Sequence, residues 1–214
     1  MMSFYKRLKI YKELEKLSFK ELYIASTICS DLIVSKFINS VLKETEHYSL
    51  GSLRLEQLFV DFYTKYRNYN FWEKVVFSQN ESILDLSKDS VLAFPWNKSR
   101  LLPLLSEFGQ EGFLWKEDTL NHDVTLIVPF NIYFAYSGNH SIATGRFYRN
   151  GIIHCHQKVD YSPVLNDFDF DGKYFRNLSN HKINRPYFDE LGELFIIGKI
   201  LVERKQNTQP PAST

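Results

Sequence analysis

Apolar residues recur every three to four positions through the first third of the chain, then give way to short β-branched and aromatic runs. Phe4, Leu8, Tyr11, Leu14 and Leu17 fall on one face of a helix over 3–17, with Lys6, Arg7, Lys9, Lys12 and Lys16 on its charged side. Ser18-Phe19-Lys20-Glu21 is a capping-box signature. It opens a second helix over about 18–46, with Leu22, Ala25, Cys29, Leu32, Ile33 and Phe37 as the buried stripe. After the break at Ser49-Leu50-Gly51-Ser52, the spacing of Leu55, Leu58, Phe59, Phe62 and Tyr66 predicts a third helix. Tyr63, Tyr66, Tyr69, Phe71 and Trp72 close this layer. Such a run can stack bases, but its spacing fits packing in a core better.

The pattern then changes period. Residues 72–89 are ambiguous between helix and strand. Strands are predicted at 91–94, 113–115, 124–128, 132–136 and 152–159 from their β-branched and aromatic content. Asn97 or Ser99 caps a helix through Leu101, Leu104, Leu105 and Phe108, stopped by Gly109. Pro129 and Asn131 mark a bulge or a hairpin turn. Asp167-Phe168-Asp169-Phe170-Asp171-Gly172 begins like a calcium loop, but Leu178 stands where the closing glutamate belongs, so a hairpin is expected. Asn184-Arg185-Pro186 reads as the start of a last helix through Leu191, Leu194, Phe195, Ile197, Gly198 and Leu201. These elements predict an α+β fold, a small mixed sheet packed against N-terminal helices and a C-terminal helix. The expected division is a helical region over 1–85, an α+β core over 86–205 and a disordered tail over 206–214.

Chemistry concentrates at Ser137-Gly138-Asn139-His140-Ser141, between the 132–136 strand and a short helix carrying Ile142, Ala143, Arg146, Phe147 and Arg149, with Ile142, Ala143 and Phe147 near one face and Gly151 at its end. A glycine turn feeding a helix N-terminus aims free amides and the positive dipole end at one point, a ready anion site. Asn139 and Ser141 can cap the helix or bond phosphate oxygens. His140 can donate a proton or a hydrogen bond near neutral pH. His154 and His156 share one side of a strand and are weak metal candidates, with Asp160 or Asp123 as a conceivable third ligand.

The run from Ser137 to Ala143 resembles the strand, G-x-H-R and helix core of the ParB/sulfiredoxin-like superfamily. Phe94-Pro95-Trp96-Asn97-Lys98-Ser99-Arg100 resembles the entry segment before that family's first helix. The chain is also similar here to a group of bacterial and mobile-element proteins carrying Gly-Asn-His-Ser-Ile. The resemblance covers 91–163, about a third of the chain. It implies a ParB-like nucleotide- or phosphate-binding protein of a mobile element or a phage defence or anti-defence system. It further implies a nucleotide with magnesium as ligand and phosphoryl-transfer or nuclease chemistry. His140 would be the catalytic group, and Gly138, Asn139, Ser141, Arg100 and Arg146 would bind the ligand. Two departures matter. Asn139 replaces the sulfiredoxin cysteine, which excludes sulfinic-acid reduction through that residue. Ser141 stands where an arginine is usual and lacks its bidentate fork.

Composition adds limits. The 214 residues are 44% hydrophobic and 16% aromatic, enough for a core, and the formal charge of +1 gives no global pull toward nucleic acid or anionic membrane. Two cysteines far apart, Cys29 and Cys155, build neither a disulfide framework nor a zinc site, so Cys29 is expected buried and unpaired in a reducing cytoplasm. No apolar run in the sequence approaches the length of a membrane span. The alternatives are a non-catalytic interaction protein, inhibitor or scaffold, and a DNA-binding protein using the Lys6 to Lys16 face.

Overall fold

A computed structural model of the chain describes residues 11–43, 53–63 and 65–208. The fold is α+β, as the pattern predicts. Helix α1 (Phe19–Lys43) is followed by a single 3-10 turn at Leu55–Gln57, the short α2 (Phe71–Lys74) and strand β1 (Val76–Asp85). Then come β2 (Val91–Leu92), α3 (Lys98–Phe108), β3 (Val124–Val128), β4 (Ile132–Ala135), α4 (Asn139–Phe147) and β5 (Ile152–Asp160). The chain ends with α5 (Ser162–Asp167), a small hairpin of β6 (Phe168–Phe170) and β7 (Phe175–Asn177), and α6 (Asp189–Thr208).

The central sheet runs β1-β5-β3-β4-β2. β5 pairs antiparallel with β1 and parallel with β3, while β4 pairs antiparallel with β3 and parallel with β2. Ile127 opposes Ile132, so Pro129 to Asn131 form a hairpin turn, with Asn131 in the left-handed region at φ 57°. β1 belongs to the span read as a helical region, 1–85, yet it is an edge strand of this sheet. One contiguous set of buried side chains extends from Leu22 on α1 to Val202 on α6, joining the helical layer to the sheet.

α1 begins as its capping box predicts. Glu21 accepts from the Ser18 amide at 2.6 Å, and the Ser18 hydroxyl accepts from the Glu21 amide at 3.3 Å. By length and composition α1 could cross a bilayer, contrary to the reading of the sequence. Leu22, Ile33 and Val41 on it are nevertheless fully buried against the rest of the protein. Cys29 and Cys155 are buried free thiols, as expected. Of the N-terminal basic face, Lys6, Arg7 and Lys9 lie outside the described residues, and Lys16 pairs with Glu13 at 2.9 Å.

Four expectations fail for tertiary reasons. The third helix is absent. Leu53, Leu55, Leu58, Phe59, Val60 and Phe62 are all buried, too many directions for one helix face, and the segment threads the core as turns. Its backbone groups find side-chain partners instead: the Asn184 amide accepts from Asp61 N at 3.1 Å and donates to Phe59 O at 3.1 Å, and the Tyr161 hydroxyl donates to Leu55 O at 2.9 Å. Because Asn184 is engaged there, the last helix begins at Asp189, not at Asn184 to Pro186. Residues 113–115 lie outside the sheet, because Trp115 is turned inward against α4. At the far end, Gln206 to Thr208 continue α6 where a tail was expected, and 209–214 are outside the described residues.

Tyr161 is fully buried and its ring meets Phe59 and Phe71. Tyr161→Phe keeps that packing but strands the Leu55 carbonyl. It should lower unfolding free energy by about 1–3 kcal/mol, the cost of an unsatisfied buried acceptor, with the denaturant slope unchanged.

Candidate functional site

The sheet topology brings the two motif segments together. β2 and β4 are parallel neighbours, so their C-terminal ends lie side by side, and each leads into a helix. β2 runs through Phe94 and Trp96 to the start of α3; β4 runs through Ser137 and Gly138 to the start of α4. Both helix N-termini therefore face one cleft, the arrangement by which open sheets bind ligands beyond their strand ends. The cleft is about 470 Å³ and is lined by Trp96, Arg100, Leu104, Asn121 and the run from Tyr136 to Ser141.

Gly138 is the N-cap of α4 and sits in the left-handed region at φ 70°. A Cβ there would lie 2.4 Å from the His122 ring, so both backbone conformation and space require glycine. The turn is tied from behind. The Ser137 hydroxyl donates to Asn121 O, and the Tyr136 amide donates to Asp123 O at 2.9 Å. His122 accepts the Asp118 amide at 2.9 Å through Nδ1 and stacks on Trp115, with ring centroids 4.7 Å apart. Trp115 in turn donates from Nε1 to Ser141 O at 3.2 Å. His122 and Trp115 were not singled out from the sequence. A lone histidine and a lone tryptophan in a loop carry no pattern, and their part here comes from packing.

Asn139 does not cap α4. It is buried at 6% exposure, and its Oδ1 accepts from the Phe94 amide at 2.6 Å, across from β2. No side chain caps this helix. The first-turn amides of α4, which have no carbonyl one turn back to bond, are thus left facing the cleft. Asn97, the first of the two sequence candidates, does cap α3: its Oδ1 accepts from the Arg100 amide at 3.1 Å.

His140 is half-buried. Its Nε2 accepts the Asn97 amide at 3.1 Å, which leaves Nδ1 to carry the proton of the neutral ring. Burial, reinforced by the nearby Arg100 charge, holds its pKa below the ordinary histidine value. The Trp96 ring meets it edge-on at 5.7 Å, and the Arg100 guanidinium lies 5.5 Å from the centroid of that same Trp96 ring. Arg100 is the cation of the cleft lining, and that lining contains no carboxylate.

Arg146 is not in the cleft. It stands seven residues beyond Asn139, about 10 Å along the helix axis. There it donates to Asp31 on α1 at 2.7 Å, and its Nε is buried without a partner among the described residues. Phe147 is 49% exposed although it lies one turn beyond the buried Ala143; it is turned well away from Ile142, five residues back. α4 ends before Gly151, which at φ 129° passes against the Trp115 ring.

His154 and His156 do share the exposed face of β5, with rings 6.4 Å apart and nearly parallel. Neither lines the cleft. Glu117 binds His154 twice, through its ring Nδ1 at 2.7 Å and its amide at 2.9 Å. Among the described residues no cluster of three His, Cys, Asp or Glu could hold a metal ion. Asp160 caps Ser162 instead of joining the histidines. Asp171 likewise serves its hairpin, accepting the Lys173 and Tyr174 amides.

Two outcomes are expected. Asn139→Ala should cost about 1–3 kcal/mol of stability, since it leaves the buried Phe94 amide unpaired; a urea titration reads this. His122 and His140 both have pKa values lowered by burial, so the unfolded chain takes up protons before the folded one does. Their contribution to stability is complete above the ordinary histidine value of 6.5 and is lost as pH falls from there toward the folded values. Thermal melts from pH 8 to pH 5 should show this slope, and His140→Gln should flatten it.

No curated protein and no solved structure matches the chain. A family model does, over residues 2–208, and the chain accordingly belongs to a family of unknown function, DUF6710.

Proposed function

We propose that the cleft at the start of α4 binds the phosphate of a nucleotide, as a ParB/sulfiredoxin-like core would. The observation that carries this reading is the uncapped N-terminus of α4, opening beside Arg100 in a cleft without carboxylates. Gly138 lets a phosphate approach the backbone, and the amides of Asn139, His140 and Ser141 donate to its oxygens. Arg100 supplies the cation that Ser141 cannot. The Ser141 hydroxyl and the His140 Nδ1–H are further donors. Asn139 holds the turn to β2 through its side chain and contributes its amide to the ligand. Arg146 has no part in it.

Binding is placed ahead of phosphoryl transfer or nuclease chemistry. His140 has its Nε2 committed to the Asn97 amide, so it serves as a hydrogen-bond donor, not as a base. With no carboxylate in the lining, magnesium would arrive on the phosphates of the ligand. A cytoplasmic setting fits the two buried free thiols, and the mobile-element or phage-defence setting follows from the resemblance of residues 137–143. The interaction-protein reading draws on one separate feature. Ile24, Ile28 and Leu32 form a stripe on α1 that is 51%, 55% and 46% exposed.

Thermal-shift measurements with nucleoside mono-, di- and triphosphates, with and without magnesium, decide the main reading. A ligand at a hundredfold excess over its Kd should add about 2.7 kcal/mol of stability. Arg100→Ala and His140→Ala should each remove most of that shift. No shift at millimolar nucleotide would refute it, and retained partner capture in His140→Ala would favour the interaction reading.

A further inference from the structure

The geometry points to a second binding face, built for single-stranded nucleic acid, where the β6–β7 hairpin meets the loop before α6. The half-buried ring of Tyr174 is surrounded by cations: Arg185 and Lys182 each lie 5.1 Å from its centroid and Lys173 lies 5.5 Å away. Arg185 also donates to the Tyr174 hydroxyl at 3.1 Å. None of these three cations is paired with a carboxylate among the described residues. The acid of the hairpin turn, Asp171, is bonded to Arg176 instead. The Arg185 hydrogen bond holds the Tyr174 hydroxyl below the ordinary tyrosine pKa, and the charges of Arg185, Lys173 and Lys182 add to that lowering. In a protein of net charge +1, this is a local concentration of unneutralised charge.

Aromatic surface adjoins it. Two residues past Arg185, Tyr187 enters the wall of a cavity of about 660 Å³ together with Tyr63 and Trp72. Asn184 seats this segment beside 59–63 through its bonds to Asp61 N and Phe59 O. Tyr63, Trp72 and Tyr187 are 55%, 50% and 58% exposed, and the Arg54 guanidinium lies 5.0 Å over Tyr63. The carboxylate of that wall, Glu56, faces Arg54 at 3.8 Å.

Cations beside a concave aromatic lining match one class of partner. A single strand offers phosphates to Lys173, Lys182 and Arg185, and unstacked bases to the three rings. A duplex keeps its bases stacked and out of reach. An acidic peptide has charge but no flat faces to stack. A lipid surface calls for apolar side chains that project, whereas these line a cavity. The inference does not rest on the phosphate reading of the α4 cleft: the residues are different, and either can fail alone.

The test is fluorescence anisotropy of a labelled thymidine oligonucleotide, about 12 nucleotides long, with the full chain, over a salt series. Three neutralised phosphates predict a log–log salt slope of about −2, from roughly −0.7 per phosphate for single strands. The combined variant Lys173→Ala, Lys182→Ala, Arg185→Ala should lose tenfold or more at low salt, on the order of 1.4 kcal/mol, and flatten the slope. Trp72→Ala with Tyr187→Ala should lose about tenfold per base released while keeping the slope. The three cations are at least partly exposed, so the triple variant should melt like the parent, while melting the double variant separates any packing lost by Trp72 against Phe71 and Phe77 from lost binding. The inference is overturned by no binding at low salt, by equal binding of duplex or polyglutamate, or by a triple variant that binds like the parent chain.

Discussion

The buried bond from the Phe94 amide to the Asn139 side chain is the constraint on which the cleft depends. An asparagine one position earlier, at the N-cap, would close the helix by accepting one of its first amides. Here the side chain turns back into the protein and joins α4 to the segment leaving β2. That bond fixes the relative position of two chain segments that are 45 residues apart, and the N-cap position beside it is Gly138, which has no side chain to close the α4 N-terminus. An unfilled helix start is an electrostatic sink, so the cost of leaving it open must be met by solvent or by a ligand.

The rest of the neighbourhood is arranged to keep that geometry. The parallel pairing of β2 and β4 delivers both helix starts to one end of the sheet. Trp115 fills the space behind α4, stacking on His122 and bonding the Ser141 carbonyl, and His122 closes the back of Gly138. The Asn97 amide then holds the His140 ring across the mouth. These contacts are short-range and directional, and together they hold the turn in one geometry. The same contacts restrict the chemistry. A histidine whose Nε2 is occupied and whose pKa is held down is a poor proton acceptor at the cleft, and Arg100 has no acidic neighbour in the lining to work with.

Away from the cleft, the helical layer and the sheet share one core. The aromatic cluster of Phe59, Phe130, Tyr161, Phe175 and Phe195 joins the irregular segment after α1 to β7 and α6. Its rings meet mostly edge to face, the arrangement that the ring quadrupoles favour. With the core reached from all sides, Tyr63, Trp72 and Tyr187 are left over at its rim, exposed beside a group of cations that no carboxylate among the described residues pairs.

Local signals in the sequence determined the elements with local causes. The capping box of α1, the Asn97 cap of α3, the β-branched strands at 124–128 and 132–135, the Asp171-Gly172 hairpin and the glycine turn at 138 each follow from residues within a few positions of one another. The α+β class follows from the change of apolar period along the chain. Tertiary structure decided whatever depended on a distant partner. The helix expected after residue 55 gave way because its apolar residues are needed in several directions and Asn184, more than 120 positions on, replaces its backbone bonds. Arg146 went to Asp31 on α1, and Asn139 to Phe94, because pairing of charge and of buried polar groups is set by which surfaces meet, and spacing along the chain does not encode that. His122 and Trp115 carry no pattern of their own for the same reason: their roles exist only once the sheet has brought the turn, the loop and α4 into contact.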